Sequence, residues 1–290
     1  MAGSGRLARR LGWVSGAVSL LAAGAIIVAV LVFTNLANVL RDHDQRGLAL
    51  ERAKRLGLWA MGLSLPGSPD YANLDNRLAS AGMKLGQPVF LRIFKREFEL
   101  EIWLKNGERF NHFATYPICR WSGKLGPKLK QGDHQAPEGF YWVSAKSLNP
   151  ASRWHRSFNL GFPNTFDRAQ GRTGSFLMVH GGCGSVGCYA MTNAAVDEIW
   201  RIVTAALDGG QKRFQVQALP FRMTPANLAE SERTPNAPFW QSLRDGYDLF
   251  EQSRLPPIVR VCSGRYEATA APAGTDGSTP LIGRCAKSDV

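Results

Sequence analysis

Five cysteines in 290 residues are too few for a disulfide scaffold, and they show no paired zinc-ribbon spacing, so neither bridges nor a structural metal stand in for a hydrophobic core. No internal repeat is present, which sets aside solenoid and propeller architectures. No RNP-like or helix-turn-helix signature accompanies the net charge of +12, and the basic residues are spread along the chain. Nucleic acid is therefore not supported as a partner; a basic surface equally suits lipid headgroups or a carboxylate-rich polymer. What is there is apolar material: 44% hydrophobic and 10% aromatic residues exclude a mostly disordered or collagen-like chain. The length allows one large or two modest globular units.

Charge is also missing locally. Residues 11–40 contain no Asp, Glu, Lys or Arg, residues 14–33 are almost wholly apolar, and Arg6, Arg9 and Arg10 precede them. A cleaved export signal is the competing reading, but its apolar core runs to only about 7–15 residues. The run here is nearer the ~20 that span a bilayer, and no A-x-A cleavage site follows it. Arginines on the N-terminal flank hold that end in the cytoplasm. The expectation is a single-pass inner-membrane protein, with residues 1–40 as cytoplasmic tip and signal-anchor and the remainder in the periplasm.

Residues 41–84 read as a helical stalk, broken at Pro66-Gly67-Ser68-Pro69, with Asp70 capping a short helix. From Pro88 the period becomes two. Residues 89–94, 98–104 and 109–116 read as strands, and Asn106-Gly107 is a hairpin turn between the last two. Further strands are expected at 140–143, 176–179 and 214–221. Thr192 caps a helix that stops at Gly209, and a second helix occupies 239–250 before Pro256-Pro257. Residues 223–266 form a helical and strand extension, and 267–290 read as a disordered tail. The fold class is mostly β with packed helices, an α+β domain.

The chemistry concentrates in His180-Gly181-Gly182-Cys183-Gly184-Ser185-Val186-Gly187-Cys188-Tyr189-Ala190-Met191. This segment leaves an apolar strand, passes four glycines and enters a capped helix. A thiol ahead of a helix N-terminus is expected to have its pKa lowered toward thiolate. His180 can act as base, the amides of Gly187 and Cys188 can face an oxyanion, and the Gly181 carbonyl can orient the histidine. Zinc held by His180, Cys183 and Cys188 is the competing reading, but a structural site wants a fourth ligand and His155 is not spaced as one. No metal and no cofactor are expected.

This segment resembles the active-site motif of L,D-transpeptidases with a YkuD-type catalytic domain, and in detail the YafK-type subgroup, HG-x-C-x-S-x-GC-x-AM. The similarity extends to residues 89–95, Tyr116-Pro117-Ile118-Cys119, residues 122–128, Gly132-Asp133, residues 136–141 and residues 157–164, and it covers about 85–222. It implies a mostly β catalytic domain at 85–222 in which Cys188 attacks a peptidoglycan stem peptide and His180 activates it. Most of the wider family has a second histidine directly before Gly-Cys, where Val186 stands here. That departure leaves open whether the acyl acceptor is an amine or water, and within the subgroup release of a peptidoglycan-linked protein, such as a lipoprotein, is known. A membrane-anchored peptidoglycan-binding module without catalysis is the non-enzyme alternative.

Candidate substrate contacts are Ser185 in the motif, Lys124 with Lys128 and Lys130 in a glycine-rich loop, Arg172 as a bidentate carboxylate ligand, and Gly139 at the cleft floor. His155 and Trp154, with Tyr141 and Trp142, are candidates for a substrate groove. If Cys188 stays a thiol, Cys262 can pair with Cys285 to staple the C-terminal segment, and Cys119 can meet Cys183 beside the site. N-terminal sequencing of the protein extracted from membranes is expected to find residues 14–33 retained; a mature chain starting beyond Phe33 refutes the anchor.

Overall fold

The structure, a computed structural model, describes residues 43–283 and Cys285. The apolar run at 14–33 lies outside them, and among the described residues no helix is long and apolar enough to cross a membrane. The chain divides into two units, residues 1–51 and 52–290. The described part of the first is the start of helix α1 (His43–Ala60).

In the second unit, Asp70 caps a 3-10 turn by accepting from the Ala72 amide at 3.1 Å. Helix α2 (Leu74–Ser80) follows, burying Leu74 and Leu78. Strands β1 (Val89–Phe94), β2 (Glu99–Asn106) and β3 (Arg109–Pro117) form a meander. Asn106 pairs with Arg109 across a two-residue turn, which Gly107 permits at φ +67°. The order then runs β4 (Arg120–Trp121), β5 (Gly139–Val143), β6 (Leu148–Ser152), β7 (His155–Asn159), α3 (Thr165–Ala169), β8 (Met178–His180), β9 (Tyr189–Ala190) and α4 (Asn193–Asp208). It closes with β10 (Phe214–Leu219), α5 (Pro225–Ser231), α6 (Ala237–Ser253), β11 (Ile258–Cys262) and β12 (Arg265–Thr269).

Two five-stranded mixed sheets result, ordered β3-β2-β1-β10-β5 and β4-β9-β8-β7-β6, each with one parallel pair: β1 with β10, and β8 with β9. The fold is sheet-rich α+β. Strands β1 and β10 are buried at every position, as central strands with both faces covered are. Helix α6 covers the first sheet: Phe250 lies 4.4 Å from Phe90, centroid to centroid, and Tyr247 meets Phe94 edge-on. Gly246 in that helix leaves room for Phe140, whose ring would lie 2.5 Å from an added Cβ. Phe158 on β7 meets Phe214 on β10 at 5.8 Å and joins the two sheets. Helix α4, capped by the Thr192 hydroxyl and stopped at Gly209, buries Val196, Ile199 and Val203 against β7 and β1.

The tail expected at 267–290 is held over its described part. Glu267 to Thr269 complete β12, Ile282 bridges to Arg260, and Cys285 is bonded to Cys262 with Cα atoms 4.8 Å apart. Its Gly-, Ala- and Pro-rich composition concealed these anchors, because one bridge and one disulfide need no repeating pattern.

Lys95, just past β1, is fully buried. Its Nζ donates to the carbonyls of Lys124 (2.9 Å), Gly126 (3.1 Å) and Ala136 (3.1 Å) and to Glu138 Oε1 (2.8 Å). Glu138, buried as completely, also accepts from the Gly126 amide and the Trp240 indole. Burial pushes the lysine pKa down, and Glu138 opposes that. Glu138→Ala strands a buried ammonium and is expected to lower the unfolding free energy by about 3–5 kcal/mol in urea titrations. Joint replacement by Met and Leu is expected not to restore it fully, because the Gly126 amide and the Trp240 indole would lose their acceptor, while the three carbonyls would keep only the Gln135 side-chain amide as donor.

Candidate active site

Strand β8 ends at His180, and residues 181–188 loop round to β9. The parallel register sets Val179 beside Tyr189 and His180 beside Ala190. The Met191 amide closes the loop on the His180 carbonyl at 2.7 Å, and the Cys183 amide donates to the Met191 carbonyl at 3.2 Å. Cys188 lies in the bend immediately before β9, two positions ahead of Ala190, the residue paired with His180.

His180 Nδ1 lies 2.6 Å from the Gly181 carbonyl oxygen. A carbonyl can only accept, so the proton sits on Nδ1 and Nε2 keeps its lone pair. Burial pushes the imidazole pKa below its ordinary 6.5, against the opposing effect of that bond. A Cβ at Gly181 would sit 2.7 Å from Asn193 Oδ1 and 3.0 Å from Val196, so glycine alone lets the carbonyl reach the ring. The Trp154 ring lies 5.9 Å from the imidazole and borders Gly182 and Gly184.

Cys188 is the cysteine left unpaired. Cys119 and Cys183 are bonded, Cα atoms 5.2 Å apart, and are buried with Leu65 and Leu58; Cys262 and Cys285 form the other bridge. Cys183 is thus no metal ligand, and among the described residues no group of three His, Cys, Asp or Glu could hold an ion. The Cys188 thiol donates to the Phe176 carbonyl at 3.5 Å. Burial pushes its pKa up, while a hydrogen bond from the Met178 backbone and the charge of Lys128 pull the other way. The expected lowering by a helix N-terminus is corrected here. Strand β9 intervenes, α4 begins only at Asn193, and the Thr192 hydroxyl already caps the Ala195 amide. Cysteine and histidine rest as neutral groups.

The two amides assigned to an oxyanion already have partners. Gly187 donates to Ser122 Oγ at 2.5 Å and Cys188 donates to Ser185 Oγ at 3.1 Å. The Ser185 hydroxyl in turn donates to the Cys188 carbonyl at 2.6 Å, and the two hydroxyl oxygens are 3.3 Å apart. Ser185 therefore faces the backbone of Cys188 rather than a substrate. Ser122 lies in a motif quoted from the sequence, yet nothing in its local spacing points to this site, 65 residues away from Gly187.

Other candidates separate by burial. Lys124 and Lys130 are exposed. Lys128 is buried, donating to Asp133 and to the Lys130 carbonyl. Burial raises the Asp133 pKa, but Lys128 and the amides of Leu129, Lys130 and Gln135 outweigh it and hold the carboxyl below its ordinary value. Gly132-Asp133 thus organises its own loop. Arg172 pairs with Asp167 at 2.9 Å, is covered by Phe166 and Phe239, and lines a cavity of about 760 Å³ whose lining includes neither Cys188 nor His180. Its carboxylate is internal, not a substrate's. Gly139 is no cleft floor: at φ +146° it admits the hydroxyls of Tyr266 and Tyr141 within 3.1 Å of where a Cβ would be. Tyr141 is itself buried on Glu138 and Asp167. His155, exposed, lies 2.9 Å from the Asp197 carboxylate. Leu129, Trp154, Phe176 and Val186 stand exposed, and the Phe176 carbonyl is the one that meets the thiol.

Residues 91–226 match the YkuD family, the L,D-transpeptidase catalytic domain. Two Escherichia coli proteins, of strains K12 and O157:H7, carry the provisional name L,D-transpeptidase YafK. Each is 50% identical over 182 residues, or 63% of this chain and 74% of the relative. Among solved structures, a mutant form of the helical cell shape determining protein Pgp2 from Campylobacter jejuni aligns at TM-score 0.39 and 20% identity, over 62% of this chain and 64% of that one. Bd1075 of Bdellovibrio bacteriovorus aligns at TM-score 0.34 and 19% identity, over 57% and 58%. The chain spans under two thirds of the length of either.

A neutral resting pair separates two pH profiles. Alkylation of Cys188 by iodoacetamide needs the thiolate and is expected to climb only above the ordinary thiol value of 9.0. Turnover needs neutral His180, so its acid limb is expected below 6.5. Coincident profiles near neutrality would instead mean a thiolate–imidazolium pair at rest.

Proposed function

The chain belongs to the L,D-transpeptidase family with a YkuD-type catalytic domain, and we propose that it performs acyl transfer on peptidoglycan stem peptides with Cys188 as nucleophile. One observation carries this reading. Four of five cysteines are bonded, and the remaining thiol closes the loop that begins at an imidazole whose Nδ1 is pinned, leaving Nε2 free to serve as base. As Sγ bonds to the stem carbonyl carbon, its proton passes to His180 Nε2. The tetrahedral oxyanion then collapses, the C–N bond breaks, and His180 returns the proton to the departing amine, either a terminal D-residue or an attached protein. An acceptor amine, deprotonated at Nε2, attacks the thioester and releases the thiol. No cofactor enters.

Lys124 and Lys130, both exposed, are the side chains we assign to stem carboxylates. Two disulfides support a compartment that is oxidising, and the charge-free run at 11–40 supports an anchor holding the domain on the periplasmic face of the inner membrane. Hydrolysis is the second reading, with a peptidoglycan-linked lipoprotein as the released partner. Val186, 72% exposed, favours it by placing an apolar group where a polar contact to an acceptor would be useful.

Cys188→Ala is expected to be inert on purified peptidoglycan while remaining folded. His180→Ala is expected to lose about 10²–10⁴-fold, the usual worth of a general base. Added amine acceptor is expected to yield exchanged or cross-linked product; acid alone in its presence identifies the amidase. Turnover surviving in Cys188→Ala overturns the reading.

A further inference from the structure

Hydroxyl protons around the thiol can be counted. Ser185 Oγ accepts from the Cys188 amide and gives its single proton to the Cys188 carbonyl at 2.6 Å. Between the two serine oxygens, 3.3 Å apart, Ser122 must then be the donor, since the Ser185 proton is committed. Ser122 Oγ also accepts a short bond, 2.5 Å, from the Gly187 amide. That amide withdraws charge from the hydroxyl and makes it a better donor. The proton it could give sits in a bond longer than the usual 2.5–3.0 Å range for two hydroxyls, and is therefore the most easily redirected donor in the cluster.

From this count we infer that Ser122 is a catalytic residue of the acyl transfer: its hydroxyl, and not the Gly187 amide directly, donates to the tetrahedral oxyanion formed on Cys188. The inference rests on the proposed acyl transfer. In the resting site the Ser122 proton points at Ser185. When Sγ adds to the stem carbonyl, negative charge develops on the oxygen beside residues 187–188, and rotation about one C–O bond turns the proton onto it. The Gly187 amide keeps its bond to Ser122 Oγ throughout, so the chain of donors runs from amide to hydroxyl to oxyanion and no covalent bond in it breaks. Such a contact strengthens only as charge appears, so it belongs to the transition state.

The backbone fixes the serine for this task. Its carbonyl accepts from the Ala136 amide at 3.0 Å, and the Arg52 guanidinium holds the carbonyl of the next residue, Gly123, at 2.8 Å. Gly123 takes φ +91°, where a side chain is strained, and an added Cβ would lie 3.0 Å from the Gln135 Cα, so the turn beside Ser122 favours glycine.

Ser122→Ala and Ser122→Thr in the whole chain, with purified peptidoglycan as substrate, test this. Ser122→Ala is expected to lower kcat and kcat/KM together by about 10²-fold, the usual loss of one oxyanion donor. Ser122→Thr, which keeps the hydroxyl, is expected to recover most of it. Iodoacetamide alkylation of Cys188 forms no oxyanion, so its rate is expected to be the same in all three proteins. Unchanged or faster turnover in Ser122→Ala, with Cys188→Ala inert, overturns the inference and makes the freed Gly187 amide the donor. A parallel fall in alkylation and turnover overturns it too, reducing Ser122 to a support for the loop. Turnover in Cys188→Ala defeats the acyl-transfer reading itself.

Discussion

Lys95 has no access to water, and an ammonium so placed must be ringed by acceptors or lose its proton. The ring here is made of three carbonyls from residues 124–136 and the carboxylate of Glu138, so a long irregular loop is wrapped around one charge. Ala136, whose carbonyl is one of the three, uses its amide to hold the Ser122 carbonyl. Ser122 in turn meets Gly187, the residue before Cys188. A chain of three contacts thus joins the end of a central strand to the loop that carries Cys188. Its geometry is set by a group that cannot shift without losing several bonds together. Strand β5, which begins at Gly139, continues directly from Glu138 into the sheet.

The electrostatics of the site follow from burial more than from dipoles. The thiol, half-buried, and the imidazole, buried, are both pushed toward their neutral forms by the solvent they lose. The cation that acts on the thiol, Lys128, is tied to Asp133 and stands within the same folded loop. A site of this kind holds its reactivity in reserve until a carbonyl arrives, since a neutral thiol bonded to the Phe176 carbonyl is a poor nucleophile toward passing electrophiles.

Periodic features were legible in the sequence. The meander at 89–117, the capped helix after Thr192 and the helix ending before Pro256-Pro257 each repeat an apolar signal often enough to be read. The two-residue strands β4 and β9 cannot carry a period, and they are the ones that flank the nucleophile. Missing β9 made the helix look adjacent to Cys188 and gave the thiol the wrong electrostatic environment. The hydrogen bond from His180 to the Gly181 carbonyl was readable because it is local, and so was Cys188 as the unpaired thiol of the motif. Arg172 and Gly139 misled because their partners, Asp167, Tyr141 and Tyr266, come together only through tertiary packing. Ser122 escaped for the same reason.

The parallel pairing of β8 with β9 gives the catalytic assembly a parity. His180 and Ala190 share a face only while Val179 stands opposite Tyr189; displacement of one strand by a single residue turns all its side chains to the opposite face. No intermediate displacement preserves the hydrogen-bond ladder. A slip here is therefore all or none: it either keeps His180 beside Ala190, with the start and end of the intervening loop in register, or breaks both together.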